Sequence, residues 1–567
     1  SFGLDTIQPP SLTPGTNLRL PPVLVAIPRG RERMQKLTTT VIALLLLLSA
    51  CSGADTADTI PLQETRNTTP DRQDTDDGGS RSIIAPPATE NTVAATADEA
   101  MTDDGSYYRG PESPRDVTFE DYGQNPWVHT GDDALSTFAV DVDTGSYTIM
   151  RKWIGEGLLP PADSVRTEEY VNFFDLGYEA PSRDTFAVYV DGAHTPFAEL
   201  EDDYLLRIGI KGREISERRR DPITLTFVID VSGSMADGDR LGLVKDSLAI
   251  LVESLDEDDT VAVVAYNTHA DLILEPTPAD EYRTITRAID RLEPGGSTNA
   301  EEGLMLGYDL ADEAFDRDGI NRVVLLSDGV ANVGETGPDG ILDRIGRAAD
   351  SGIDLLTIGV GLGNYNDVLM EQLADHANGH YRYVDTIDEA ERVFADDLTG
   401  TLITIARDVK IQVEFDQDTV KWYRLVGFEN RDVADEDFRN DRVDGGEIGA
   451  GHSVTALYQI ELEEGVRSRD SLGRVTIRWS DSVGDDFREV SGEITADSLA
   501  DSWDDTDPHF RLAASVAAYA EALRDIRDRG DYRLDDVADE VDRLAHLLVD
   551  RDVDDLVRLM AMSTRLR

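Results

Sequence analysis

The sequence predicts an α/β fold, with a doubly wound, mostly parallel sheet over residues 220–400. A small N-terminal module over 116–215 precedes it, and a C-terminal region over 405–567, β-rich and then helical, follows it. Three observations predict this. Apolar runs of strand length, such as Ile223–Ile229 and Asn321–Leu326, show no in–out alternation, so both faces of their sheet must be covered. Amphipathic stretches of helix length separate the runs, the order that builds parallel βαβ units. Polar turns close two runs at the same end: Asp230-Val231-Ser232-Gly233-Ser234 after the first and Ser327-Asp328-Gly329 after the second.

The elements follow in chain order. Residues 34–51 read as a lipoprotein signal: Met34-Gln35-Lys36 is a short basic start, Val41–Leu48 an apolar core, and Leu48-Ser49-Ala50-Cys51 a lipobox. The core is too short to span a bilayer. Cys51 is the only cysteine, which excludes an internal disulfide or a cysteine-based metal cluster and marks it as the acylation site. Two or more acyl chains, at about 0.8 kcal/mol per buried methylene, anchor a protein stably. Ser52 is not the Asp that retains lipoproteins at the inner membrane, so the expected location is the cell envelope. That means the outer membrane or periplasmic face of a Gram-negative host, and otherwise the extracellular face of the membrane. Residues 1–33, rich in Pro and Arg, stand ahead of a signal that works from an N-terminus, and read as a gene-model extension. Residues 52–115 carry Thr, Asp, Ala, Pro and Ser with few aromatics, and read as a disordered acidic, Thr-rich tether.

Within 116–215, Phe138–Val142 and Thr185–Val190 read as strands and Tyr147–Gly155 as a helix. Asp143-Thr144-Gly145-Ser146 has the look of half an aspartic protease, but that chemistry needs a second carboxylate in the same setting. Asp328-Gly329-Val330 lacks the hydroxyl, so a helix cap is the better reading. In the central domain the strands are 223–229, 260–266, 321–326, 353–360 and 380–384. The helices are 240–255, 281–292, 300–315, 339–351, 366–377 and 388–398. Gly359, Gly361 and Gly363 lack the spacing and the following Lys-Ser/Thr of a phosphate loop, and read as a tight turn. Beyond 405, segments 409–415, 422–428, 453–461 and 473–479 suggest a β-sandwich-like module. Leu512, Val516, Tyr519, Leu523 and Ile526 then form a helical stripe that packs on it.

The two polar turns carry the chemistry. Asp230, Ser232 and Ser234 are spaced two apart past a buried strand, and Gly233 lets the backbone turn tightly enough to present them together. One carboxylate, two hydroxyls and room for water suit a hard divalent cation, Mg²⁺ above all. Mn²⁺ and Ca²⁺ are the alternatives. Gly295-Gly296-Ser297-Thr298-Asn299 opens another helix, and Asp328 closes another strand, at the sheet edge where open α/β folds bind ligands.

In chain order, Asp230, Ser232, Ser234, Thr298 and Asp328 resemble the metal-ion-dependent adhesion site (MIDAS) of von Willebrand factor type A (VWA) domains, a Rossmann-like fold. The resemblance implies that the Ser and Thr hydroxyls bind the metal directly, the Asp carboxylates often through water. It also implies an open coordination position that takes a carboxylate from a partner protein, with movement of the last helix, here 388–398. Val165–Phe174 is similar to the segment ahead of this domain in YfbK-like bacterial lipoproteins. Asp408–Phe415, Tyr423–Arg431 and Gly446–His452 resemble that family's C-terminal region. The likeness covers roughly residues 116–567.

Composition narrows the function further. Asp and Glu number 113 against 53 Lys and Arg, a formal charge of −60, which repels nucleic acid. Usage that is Asp-rich and Lys-poor fits solubility or a saline host. The eight histidines form no H-E-x-x-H pair; Asn378-Gly379 separates His376 from His380; no G-x-S-x-G elbow exists. Without an evident base or nucleophile the expectation is no enzyme, but a lipid-anchored, Mg²⁺-dependent module that binds a protein. Two alternatives stay open: a metal-assisted hydrolase using the same ion, and a structural envelope protein with an idle metal site.

Overall fold

The computed structural model describes residues 58–65, 119–197, 203–216, 220–329, 342, 345–349, 351–364, 367–481, 487–524 and 533–566. The expected extension 1–33, the signal 34–51 with Cys51, nearly all of 52–115, and most of helix 339–351 lie outside them.

Five central strands run parallel. Their order across the sheet is His380–Tyr383, Ile353–Asn364, Ile320–Gly329, Ile223–Asp230, Thr260–Tyr266. Residues on successive positions go to opposite faces, and both faces are covered. Leu225, Phe227, Val324 and Leu326 enter one core, and Val228, Val323 and Leu325 enter the other. Ile320 pairs with Ile223 and Leu326 with Ile229, so these two strands end level and release Asp230 and Asp328 side by side. A sixth strand, Ala270–Pro278, runs antiparallel at the edge. Its sequence hides it: the strand is largely exposed and contains Pro276 and Pro278, which only an edge tolerates. The last expected helix is three pieces: α-helical Ile387–Glu391, a π turn over Arg392–Asp396, and α-helical Leu398–Leu402.

The segments expected as separate flanking modules share their sheets. Phe186–His194 pairs with Tyr204–Gly212, which pairs with Ser453–Leu462 from beyond the central domain. Leu135–Ala139 pairs with Thr404–Phe415 in the facing sheet. The central domain is thus an insertion into one two-sheet sandwich. Neither segment can bury its apolar face alone: Val188, Ile208 and Ile210 from the first pack with Ile411, Val475 and Ile477 from the second. Alternate residues Tyr189 and Leu205 turn outward, with Leu457, under the helices Pro508–Arg524, Leu534–Leu548 and Arg551–Leu566. Leu512, Val516, Tyr519 and Leu523 of the predicted stripe are all in that layer, while Ile526 lies outside the described residues. Among the described residues no helix is long and apolar enough to cross a membrane.

The expected tether is also partly structured. Asp58–Ile60 pairs with Val188–Val190 of one sheet and Gln63–Thr65 with Glu489–Ser491 of the other. Composition argued for disorder, but Ile60 and Leu62, two of the few large apolar side chains in it, pack against the sandwich core.

Candidate metal site

Asp230 ends its strand fully buried. Its Oδ1 accepts the Ser232 N–H at 2.7 Å, and its Oδ2 accepts the Ser327 hydroxyl at 2.9 Å and the Tyr266 hydroxyl at 3.4 Å. Burial pushes its carboxyl up to about 6; the Ser232 N–H opposes this and the Asp328 charge adds to it. The Ser232 and Ser234 hydroxyls stand 3.1 Å apart, and Ser234 donates to Asp328 Oδ1 at 3.0 Å. The neighbouring loop is pinned to this turn, with Gly295 N–H on Val231 O at 2.8 Å and Gly233 N–H on Gly296 O at 3.1 Å. Thr298 stands on that loop, half-buried, without a hydrogen bond to the other four residues. Four of the five expected residues are therefore joined by hydrogen bonds, and the fifth is on the adjoining rim. A set of carboxylate and hydroxyl oxygens with no sulfur or imidazole is the donor chemistry of a hard divalent cation.

One residue of this site escapes a motif search. Arg240 is buried and its Nη1 donates to Asp328 Oδ2 at 2.6 Å and to Ser234 O at 3.4 Å. The Asp230–Asp328 pair is therefore already partly neutralised by an internal cation. Gly361 makes the space, since a Cβ there would lie 2.2 Å from Arg240 Nε. The tight turn expected at Gly359, Gly361 and Gly363 is instead the end of the Ile353–Asn364 strand, in which Gly361 takes φ +77°. The signal available in the sequence is that Arg240 opens a helix, where the helix dipole disfavours a cation.

A second acidic cluster lies at the junction of insertion and sandwich, where Asp141, Asp143 and Glu371 bring carboxylate oxygens within metal-ligand range. A guanidinium already stands among them. Arg431 reaches Asp141 at 3.2 Å, Glu371 at 2.9 Å, Asp375 at 3.1 Å and Asp143 at 3.7 Å. This is a buried ion-pair staple. Asp143 precedes the Gly145–Gly155 helix but the expected side-chain cap is not made: Thr144 at the N-cap forms no cap hydrogen bond, and Asp143 instead accepts the Tyr381 N–H at 3.2 Å and faces Arg382 at 3.3 Å.

Comparison with known proteins follows the same division of the chain. A family model described as von Willebrand factor type A domain matches residues 224–396. Another, described as the C-terminal region of the uncharacterized protein YfbK, matches 400–565, and one described as von Willebrand factor matches 113–206. The chain is 36% identical to YfbK of Escherichia coli over 437 residues, 73% of this chain and 75% of that one. It is 26% identical to inter-alpha-trypsin inhibitor heavy chain H3 of Homo sapiens over 278 residues, 44% of this chain and 30% of that one. Among solved structures, a von Willebrand factor type A protein from Catenulispora acidiphila overlaps 68% of this chain and 91% of its own, with 17% identity and a TM-score of 0.39.

Proposed function

The chain belongs to the YfbK family and carries a von Willebrand factor type A domain, and on that footing we propose that this domain binds a protein partner through Mg²⁺. The observation that carries the reading is the convergence of Asp230, Ser232, Ser234 and Asp328 at the ends of adjacent parallel strands. Ser232, Ser234 and Thr298 would hold the ion directly, with the two carboxylates behind them; Mn²⁺ or Ca²⁺ could replace it. Bound there, the ion would supply Lewis acidity at an open coordination position.

Charge explains why the ligand there should be an anion. Asp230 and Asp328 together balance a divalent cation, and Arg240 then leaves the loaded site with one positive charge in excess. A partner Asp or Glu carboxylate answers both the coordination position and that charge. Among the described residues no histidine hydrogen-bonds to the site; the two serine hydroxyls bond to each other, and that of Ser234 also donates to Asp328. A binding module is therefore favoured over a hydrolase.

The anchor and location belong to the same proposal: acylation at Cys51 in the lipobox, and residence in the bacterial cell envelope. Cys51→Ala should abolish acylation, which mass spectrometry of the mature N-terminus reads; an unmodified Cys51 in mature wild type would refute the anchor. For the site, crosslinking pull-downs from envelope fractions are compared with and without chelator. Asp230→Ala and Ser234→Ala should lose the captured partner, and Thr298→Ala should weaken its capture. A partner held equally well in chelator and by Ser234→Ala would sink the adhesion mechanism.

A further inference from the structure

A cavity of about 400 Å³, separate from the metal site, opens between the Glu120–Gln124 segment, the Ala162–Glu168 stretch and Arg524. Five carboxylates line it, from Glu120, Asp121, Asp163, Glu168 and Glu429, against the guanidiniums of Arg166 and Arg524. Both guanidiniums are already engaged. Arg166 holds Glu169 at 2.8 Å and Glu371 at 2.8 Å. Arg524 holds Glu429 at 2.8 Å and donates to the Gly123 carbonyl.

Glu168 is left incomplete. It is 2% exposed; its Oε2 accepts the Phe428 N–H at 2.9 Å, while its Oε1 is buried with no hydrogen-bond partner. The backbone is shaped around it: Gly427 has φ +82°, and a Cβ there would come within 2.5 Å of Glu168 Oε2. An unpaired buried polar atom is destabilising, more so in a charged group. Burial, with the charges of Glu429, Asp141 and Glu169, pushes this carboxyl up to about 8. With both guanidiniums spent on other carboxylates, Glu168 Oε1 is left without a donor that carries positive charge.

A bare metal ion is the poorer candidate. Among the described residues the convergence of three acidic ligand groups occurs at Asp141, Asp143 and Glu371, not here, and a hard ion needs several oxygens at short range. The volume is that of an organic ligand. Ala162, Val165 and the partly exposed Tyr122 ring offer apolar surface for a carbon chain. We propose that this cavity binds a primary alkylammonium group, whose N–H donors complete Glu168, with Glu120, Asp121 and Asp163 suited to a second ammonium on the same molecule. Two sources present that chemistry, a free di- or polyamine and a lysine side chain.

The test is calorimetry on the full chain in detergent and chelator, so that it is independent of the metal site. Titrants are 1,4-diaminobutane, spermidine, a lysine-rich peptide and tetramethylammonium chloride, all at fixed ionic strength. Glu168→Gln keeps the side-chain shape and an acceptor for the Phe428 N–H, and its melting curve checks its fold. We expect one-to-one binding of a primary amine, weakened at least tenfold in Glu168→Gln, and no binding of tetramethylammonium, which lacks N–H donors. Binding of the diamine identifies a small-amine site, and binding of the peptide alone identifies a lysine-docking site. Equal binding by wild type and Glu168→Gln, equal binding of tetramethylammonium, or binding of none of the titrants would overturn the proposal.

Discussion

Arg240 is the residue on which the metal site turns. Its guanidinium lies 2.6 Å from Asp328, so it lowers the negative potential that would attract a cation while raising the pull on an anionic ligand. At an effective dielectric constant near 20 a unit charge about 7 Å from a divalent ion is worth on the order of 5 kcal/mol before solvent screening reduces it. Arg240→Gln should therefore bind Mn²⁺ or Mg²⁺ at least about tenfold more tightly in calorimetry and bind the acidic partner less well. A merely structural arginine would not move the two affinities in opposite directions. Asp230 gives a pH signature. Its carboxyl stands at about 6 in the fold against an ordinary 3.8, so the metal-free native state holds this proton more tightly than the unfolded chain does. Its contribution is fully present below about pH 4 and is lost as pH rises through about 6, by at most about 3 kcal/mol. Urea midpoints in chelator should fall across that window. In saturating Mg²⁺ the fall should disappear, and an unchanged slope would show that the ion does not sit beside Asp230.

Between elements, the staple at Arg431 decides how the insertion is held. It joins the loop after the Val420–Val426 strand to the Asp367–Asp375 helix through carboxylates on both sides. Removing one partner of a buried ion pair typically costs about 3–5 kcal/mol, because the remaining charges stay buried. Arg431→Met should lower the unfolding free energy from urea titration by that order, and a change under about 1 kcal/mol would mean water already reaches the cluster. Glu371 and Asp375 were visible as helical residues, but nothing local marks Arg431 as their partner. The last helix of the central domain is tied in a similar way. Arg151 pairs with Asp385 and with Glu389 at 2.9 Å, and the Arg392 guanidinium lies 4.3 Å from the Phe173 ring centre. Its break into α, π and α pieces was not legible, because a π turn depends on how the helix meets its neighbours rather than on a composition rule.

At the scale of the whole molecule, metal binding should register as stability. Mg²⁺ at a hundred times its Kd adds about 2.7 kcal/mol to a fold that alone binds it, and chelator should remove that increment from the melting transition of the central domain. Topology gives another test. Residues 405–567 expressed alone should not fold cooperatively, since Ser453–Leu462 would lose Tyr204–Gly212 and Thr404–Phe415 would lose Leu135–Ala139. Dispersed amide resonances from that fragment would show that the shared sheets are dispensable. By itself the sequence pointed to what is local: the unalternating strands of the parallel sheet, the turns that end them, and the oxygen-rich set at Asp230, Ser232, Ser234, Thr298 and Asp328. Those follow from the period of apolar residues and from turn chemistry, which neighbouring residues encode. Only the tertiary structure decided that the flanking segments form one sandwich, that Ile60 and Leu62 dock on it, that Arg240 reaches Asp328, and that Glu168 Oε1 is buried without a hydrogen bond. An apolar face or a buried charge shows that something must cover it, whereas the identity of the cover is set by contacts between residues far apart in the chain.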